Sequence, residues 1–124
     1  MNTLTITPED DVSAIIGAFG AVLKDPARAF TLLVRFSVNE ADQERAGSAF
    51  SVARRQTLEE RGVLAFELHQ EAADRNSFVV YERWKSLAQL EAHLRMPHTT
   101  QLRDEFESII VRGPQFIVLT DPLG

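Results

Sequence analysis

The feature that most constrains this chain is a switch between two apolar periods, repeated from Ala29 onward. In AFTLLVRFSV, Phe30, Leu32, Val34, Phe36 and Val38 fall on one side and Thr31, Leu33, Arg35 and Ser37 on the other, the period of a strand. The spacing then becomes helical. Asn39 followed by Asp42 resembles a helix cap with an acid at the third position, and Ala46, Ala49, Phe50 and Ala53 form the inner face of a helix reaching about Arg61. Gly62 is expected to end that helix in the left-handed conformation. Residues 63–71 and 77–84 read as strands joined by the short polar loop AADRN, which predicts an antiparallel hairpin. Ser86 caps a helix with Leu87, Leu90 and Leu94 at its core positions, and Met96-Pro97 breaks it. A further helical piece carries Leu102, Phe106, Ile109 and Ile110, and Gly113-Pro114 turns the chain into a last strand, 115–120. Strand, helix, strand, strand, helix, strand is the order of an α+β, ferredoxin-like βαββαβ unit, an antiparallel sheet with helices on one face.

A length of 124 residues suits one compact domain. Residues 28–124 hold the βαββαβ unit, and residues 1–27 form an N-terminal extension with an extra helix over 8–24. Thr7-Pro8-Glu9-Asp10 reads as its start and Asp25-Pro26 as its stop, with Val12, Ile15, Ile16, Phe19, Val22 and Leu23 on one apolar face. This helix is either a brace packed on the sheet or a lid that keeps water from a neighbouring pocket.

Helices on one face leave the other bare. Leu33, Val79 and Tyr81, joined by Val63 and Ala65, make that face too apolar to stand in water, so a homodimer packed sheet on sheet is expected. His69 has the parity of Glu67 and Glu71 and belongs to the same contact side. Other partners are excluded by composition. A net charge of -5 with 13 scattered basic residues gives no stripe for nucleic acid. The chain has no cysteine, which removes disulfides and a thiolate nucleophile. No apolar run approaches the ~20 residues of a membrane span, and the opening MNTLTITPEDD lacks a basic signal, so a cytoplasmic protein is expected.

The rare side chains crowd into one stretch. YERWKSLAQLEAHLRMPH contains the only tryptophan, the only tyrosine and two of the three histidines. Strand parity puts Phe78, Val80, Glu82 and Trp84 on the helix side. Glu82 then sits among apolar neighbours, where it either finds a partner, such as Arg35 or Arg95, or has its pKa raised by desolvation. His93 and His98 lie on the helix that follows and just past its break. The bland alternatives are a core tryptophan, a buried structural carboxylate and histidines that cap helix carbonyls.

The set Glu82-x-Trp84, Glu91-Ala92-His93-Leu94 and Pro97-His98, with FELHQ in the preceding strand, resembles the antibiotic biosynthesis monooxygenase family, in particular its small quinol monooxygenases. The resemblance runs from about Ala29 to Thr120 and implies a dimeric α+β barrel. It also implies oxygenation by O₂ of a small aromatic hydroquinone or polyphenol, with no metal, haem or flavin. In that scheme His93 or His98 accepts a proton, Trp84 and Glu82 shape the site, and Phe36, Phe66, Leu68, Val80 and Leu90 form an apolar substrate wall. No cysteine, glycine-rich nucleotide loop or metal-spaced cluster stands in the sequence, in keeping with a cofactor-free site. Positions that are polar in the polyketide-tailoring members are here Leu68, Val80 and Leu90, which points to a different substrate. Two other readings share this fold: a non-catalytic ligand-binding or stress-related barrel, and a haem-binding and haem-degrading protein using a helical histidine.

Overall fold

The structure is a computed structural model; it describes residues 11–123 and the backbone of a short strand, β1 (Thr3–Thr5). Helix α1 (Val12–Val22) follows, then strand β2 (Phe30–Val38). A single 3-10 turn (Glu40–Asp42) leads into α2 (Gln43–Thr57), and the hairpin of β3 (Val63–Gln70) and β4 (Ser77–Trp84) comes next. Helices α3 (Leu87–Leu94) and α4 (Pro97–Ile109) and strand β5 (Ile110–Leu119) complete the chain. The sheet order is β1-β5-β2-β4-β3, antiparallel throughout. Strands β2 to β5 with α2 to α4 are therefore the expected α+β, ferredoxin-like unit, and β1 extends its sheet at the β5 edge.

Local chemistry sets the helix ends. The Asp11 carboxylate accepts the amide of Ala14 at 2.7 Å, so α1 begins at Val12, later than the sequence suggests. The Thr7–Asp10 signal itself lies outside the described residues. Ser86 caps α3 by accepting the Gln89 amide. Pro97 occupies the first turn of α4, where its missing N–H costs nothing, so the break after α3 begins another helix at once.

All four helices cover one face. Ile15 and Phe19 of α1, Ala46, Phe50 and Ala53 of α2, Leu87 and Leu90 of α3, and Leu102 and Ile109 of α4 share one core with Phe30, Leu32, Phe36, Val38, Phe66, Phe78, Val80 and Trp84. The ring of Phe19 packs 5.8 Å from that of Phe116, so the N-terminal extension contributes to the same core as the βαββαβ unit. The opposite face shows half-buried Leu33, Val79, Tyr81 and Ile117. It is edged by Arg35 paired with Glu71 and by Arg83 paired with Asp121.

Three sequence expectations fail here. Gly62 does not adopt a positive φ, and α2 ends earlier, at Thr57. The glycine serves close packing instead: a Cβ there would collide with the Gln89 side chain. Val63 pairs with Trp84 and packs on the core, because an irregularity between Val63 and Ala65 reverses the alternation; Leu64 is exposed. Finally, β5 starts directly at Ile110, and Gly113-Pro114 lies inside it where the register with β2 shifts. Gly113 has φ 88°, and a Cβ would stand 2.7 Å from the Arg35 carbonyl oxygen, so only glycine fits.

Candidate active site

Strand β4 fixes the floor of the site. Glu82 and Trp84 both point under the helices, as parity requires, and the indole is fully buried. Its Nε1–H donates to Glu82 Oε1 at 2.9 Å. Neither arginine considered from sequence reaches Glu82: Arg35 pairs with Glu71 and Arg95 with Glu91. Burial pushes the Glu82 carboxyl above the ordinary carboxylate range, against the weaker attraction of His93 and the Trp84 hydrogen bond.

Helix α3 lays His93 over this floor. Its ring lies 4.5 Å from the Trp84 ring and meets Phe66 edge-on at 5.3 Å. Behind it stands an acid that the sequence did not mark. Glu60, in the turns after α2, places Oε2 at 2.9 Å from His93 Nδ1 and 2.7 Å from His98 Nε2. Burial pushes Glu60 up, but hydrogen bonds and attraction from the two histidines outweigh it and hold the carboxyl below its usual range. Thr99 Oγ1 adds a contact to His93 Nδ1 at 3.3 Å. Among the described residues every fully buried side-chain nitrogen or oxygen has a partner.

These groups border a cavity of about 110 Å³ between sheet and helices. Its wall includes Phe36, Phe66, Val80, Phe106 and Phe116, with Glu82, His93 and Thr99 among its polar edges. Ile15 and Phe19 contribute to it directly, so α1 lines the hollow as well as bracing the sheet. The remaining candidates stand elsewhere. Leu68, on edge strand β3, borders a shallow groove with Phe50 and Arg54. Leu90 is packed solid in the core, and Trp84 lies behind His93 rather than on the cavity wall. His98, on the first turn of α4, borders an open groove with Ala53 and Gln56 of α2.

The sequence shows no metal-spaced set, yet the fold assembles one: Glu60, His93 and His98 bring one ligand atom each within 4.8 Å of one another. Glu60 was missed because it precedes His93 by 33 residues and sits in a polar stretch that reads as a solvated helix end. The apolar side chains of α1 were legible as a buried face but gave no sign of which wall they would form.

A split βαββαβ sheet with a small apolar hollow under its helices makes this an α+β, ferredoxin-like domain. The chain belongs to the antibiotic biosynthesis monooxygenase family, whose model matches residues 29–105. No curated protein sequence matches it. Among solved structures it is similar to a putative antibiotic biosynthesis monooxygenase from Nitrosomonas europaea, at 24% identity and a TM-score of 0.74, over 82% of this chain and 100% of that one. A possible oxidoreductase of unknown function from Bacteroides thetaiotaomicron is 22% identical, with a TM-score of 0.71 over 77% of this chain and 99% of that one. A putative antibiotic biosynthesis monooxygenase from Caulobacter crescentus is 14% identical, with a TM-score of 0.74 over 80% and 94%. At these identities the likeness speaks for the fold alone. No helix among the described residues is long and apolar enough to cross a membrane.

Proposed function

We propose that this protein is a cofactor-independent monooxygenase that oxidises a small aromatic hydroquinone with O₂. The observation that carries the reading is the apolar cavity under the helices with His93 on its edge, the ring held at Nδ1 by Glu60. With Nδ1 engaged, Nε2 is the nitrogen left to take a proton from a phenol, and an imidazole does this near neutral pH. The deprotonated ring gives an electron to O₂, the radical pair recombines at a ring carbon, and the O–O bond breaks. For a simple hydroquinone the balance is hydroquinone plus O₂ to hydroxyquinone plus water, with the ring supplying the electrons. Glu82, kept toward its neutral form by burial, avoids placing a second negative charge beside the phenolate.

The cavity size favours a one-ring substrate. About 110 Å³ compares with the ~150 Å³ of an engineered cavity that admits benzene, and falls below the ~300 Å³ at which larger ligand pockets begin. Haem is poorly served by that volume and by histidines already engaged with Glu60. We also propose a homodimer through the strip of Leu33, Val79 and Tyr81; light scattering at working concentration should give twice the chain mass, and a monomer there removes it.

Oxygen uptake by chelator-treated protein with a panel of one-ring hydroquinones tests the activity. Uptake should exceed the buffer rate and fall by about 10²–10⁴-fold in His93→Ala, with Trp84→Phe retaining a folded but slower protein. No consumption with any member of the panel leaves a non-catalytic barrel as the better reading.

A further inference from the structure

We propose that Glu60, His93 and His98 form a binding site for one divalent transition-metal ion of the zinc, cobalt or iron(II) class. Two imidazoles and one carboxylate are a donor set suited to these ions. Each ligand comes from a different element: the turns after α2, the middle of α3 and the first turn of α4. The donors already stand near coordination spacing. Tetrahedral metal bonds of about 2.1 Å separate neighbouring ligands by roughly 3.4 Å. Here Glu60 Oε2 lies 2.9 Å from His93 Nδ1 and 2.7 Å from His98 Nε2, and all three donor atoms lie within 4.8 Å of one another, so a small shift of the two rings brings them onto one ion.

Charge points the same way. The ion-pair partners of Glu60 among the described residues include both histidines. A carboxylate 9% exposed between two imidazoles matches a divalent cation in charge and donor type. His98 also borders the groove between α2 and α4, whose rim carries Gln56 and Asp104.

Occupancy has a consequence for the cavity, and this part rests on the functional reading above. An ion on His93 Nδ1 moves the ring proton to Nε2, so the nitrogen left for substrate becomes a donor and no longer a base. The ion then acts as an inhibitor that ties off the proton acceptor, rather than as a resident cofactor.

Calorimetric titration of the full, chelator-stripped chain with Zn²⁺, and its visible spectrum with Co²⁺, test the site without any substrate. One ion per chain is expected, with binding weakened at least about 100-fold in Glu60→Gln and in His98→Asn. His69→Ala, which removes an exposed histidine beside Glu67, should leave it unchanged. Circular dichroism checks that the variants fold, and paramagnetically shifted imidazole protons from two histidines in Co²⁺-loaded wild type supply a readout that needs no variant. Absence of binding, or binding that depends on His69 and not on Glu60 and His98, overturns the site. Protein that binds Zn²⁺ but consumes no O₂ overturns only the oxygenase reading. Protein that consumes O₂ at an undiminished rate with one Zn²⁺ bound overturns the coupling between them.

Discussion

Two acids stand near His93, and they are held in opposite ways. Glu82, on the strand floor, meets a single indole N–H and is pushed toward its protonated form by burial. Glu60, at the helical end, is desolvated too, yet two imidazoles hold it toward the carboxylate. The chemistry of the side chain is the same in both. Partners, rather than depth alone, decide which acid keeps its charge. The contrast gives His93 a carboxylate behind it, at Nδ1, and a carboxyl pushed toward its protonated form beneath it.

The largest test of this contrast is Trp84→Ala. It removes a fully buried ring and the donor to Glu82, and should cost about 3–5 kcal/mol in urea unfolding. A loss under about 1 kcal/mol, the range of a tolerated repacking, would show that the floor is not held by the indole. Next comes Glu60→Ala, which leaves His93 Nδ1 and His98 Nε2 without their acceptor. A loss of about 1–3 kcal/mol is expected from the same measurement, and no loss would mean that water serves the histidines equally well.

The smallest effect is Glu82→Gln, because glutamine keeps an oxygen for the Trp84 N–H. It should change stability little at acidic pH and alter its pH dependence. A carboxyl whose folded pKa is raised binds its proton more tightly in the folded state, so stability falls as pH climbs from the ordinary carboxylate range through the raised value. Wild type should show that decline and Glu82→Gln should not. Parallel curves for the two proteins would place Glu82 with the charged acids and erase the contrast.

Much of the site's floor can be read from strand parity. Phe36, Phe66, Val80 and Glu82 line the hollow because alternation in β2, β3 and β4 points them under the helices. Parity fails where the pleat does: the irregularity after Val63 turns that residue inward, against expectation. It also gives direction without lateral position. Leu68 belongs to the edge strand and ends beside a shallow groove, while Trp84 lies a layer behind His93. Glu60 and α1 were beyond its reach, since their places in the site depend on how helices pack over a sheet and not on any local period.

The sequence by itself determined the order of elements, the face each strand residue presents and the confinement of the rare side chains to one strand and its following helices. Those properties follow from periods of two and 3.6 residues and from caps and breaks, all of which act over a few positions. Only the tertiary structure decided that Glu60 would meet His93 and His98, that α1 would line the hollow and that Glu82 would face an indole instead of an arginine. Contacts between distant segments are set by close packing and by the need of every buried polar group for a partner, and neither leaves a mark at a single position in the chain.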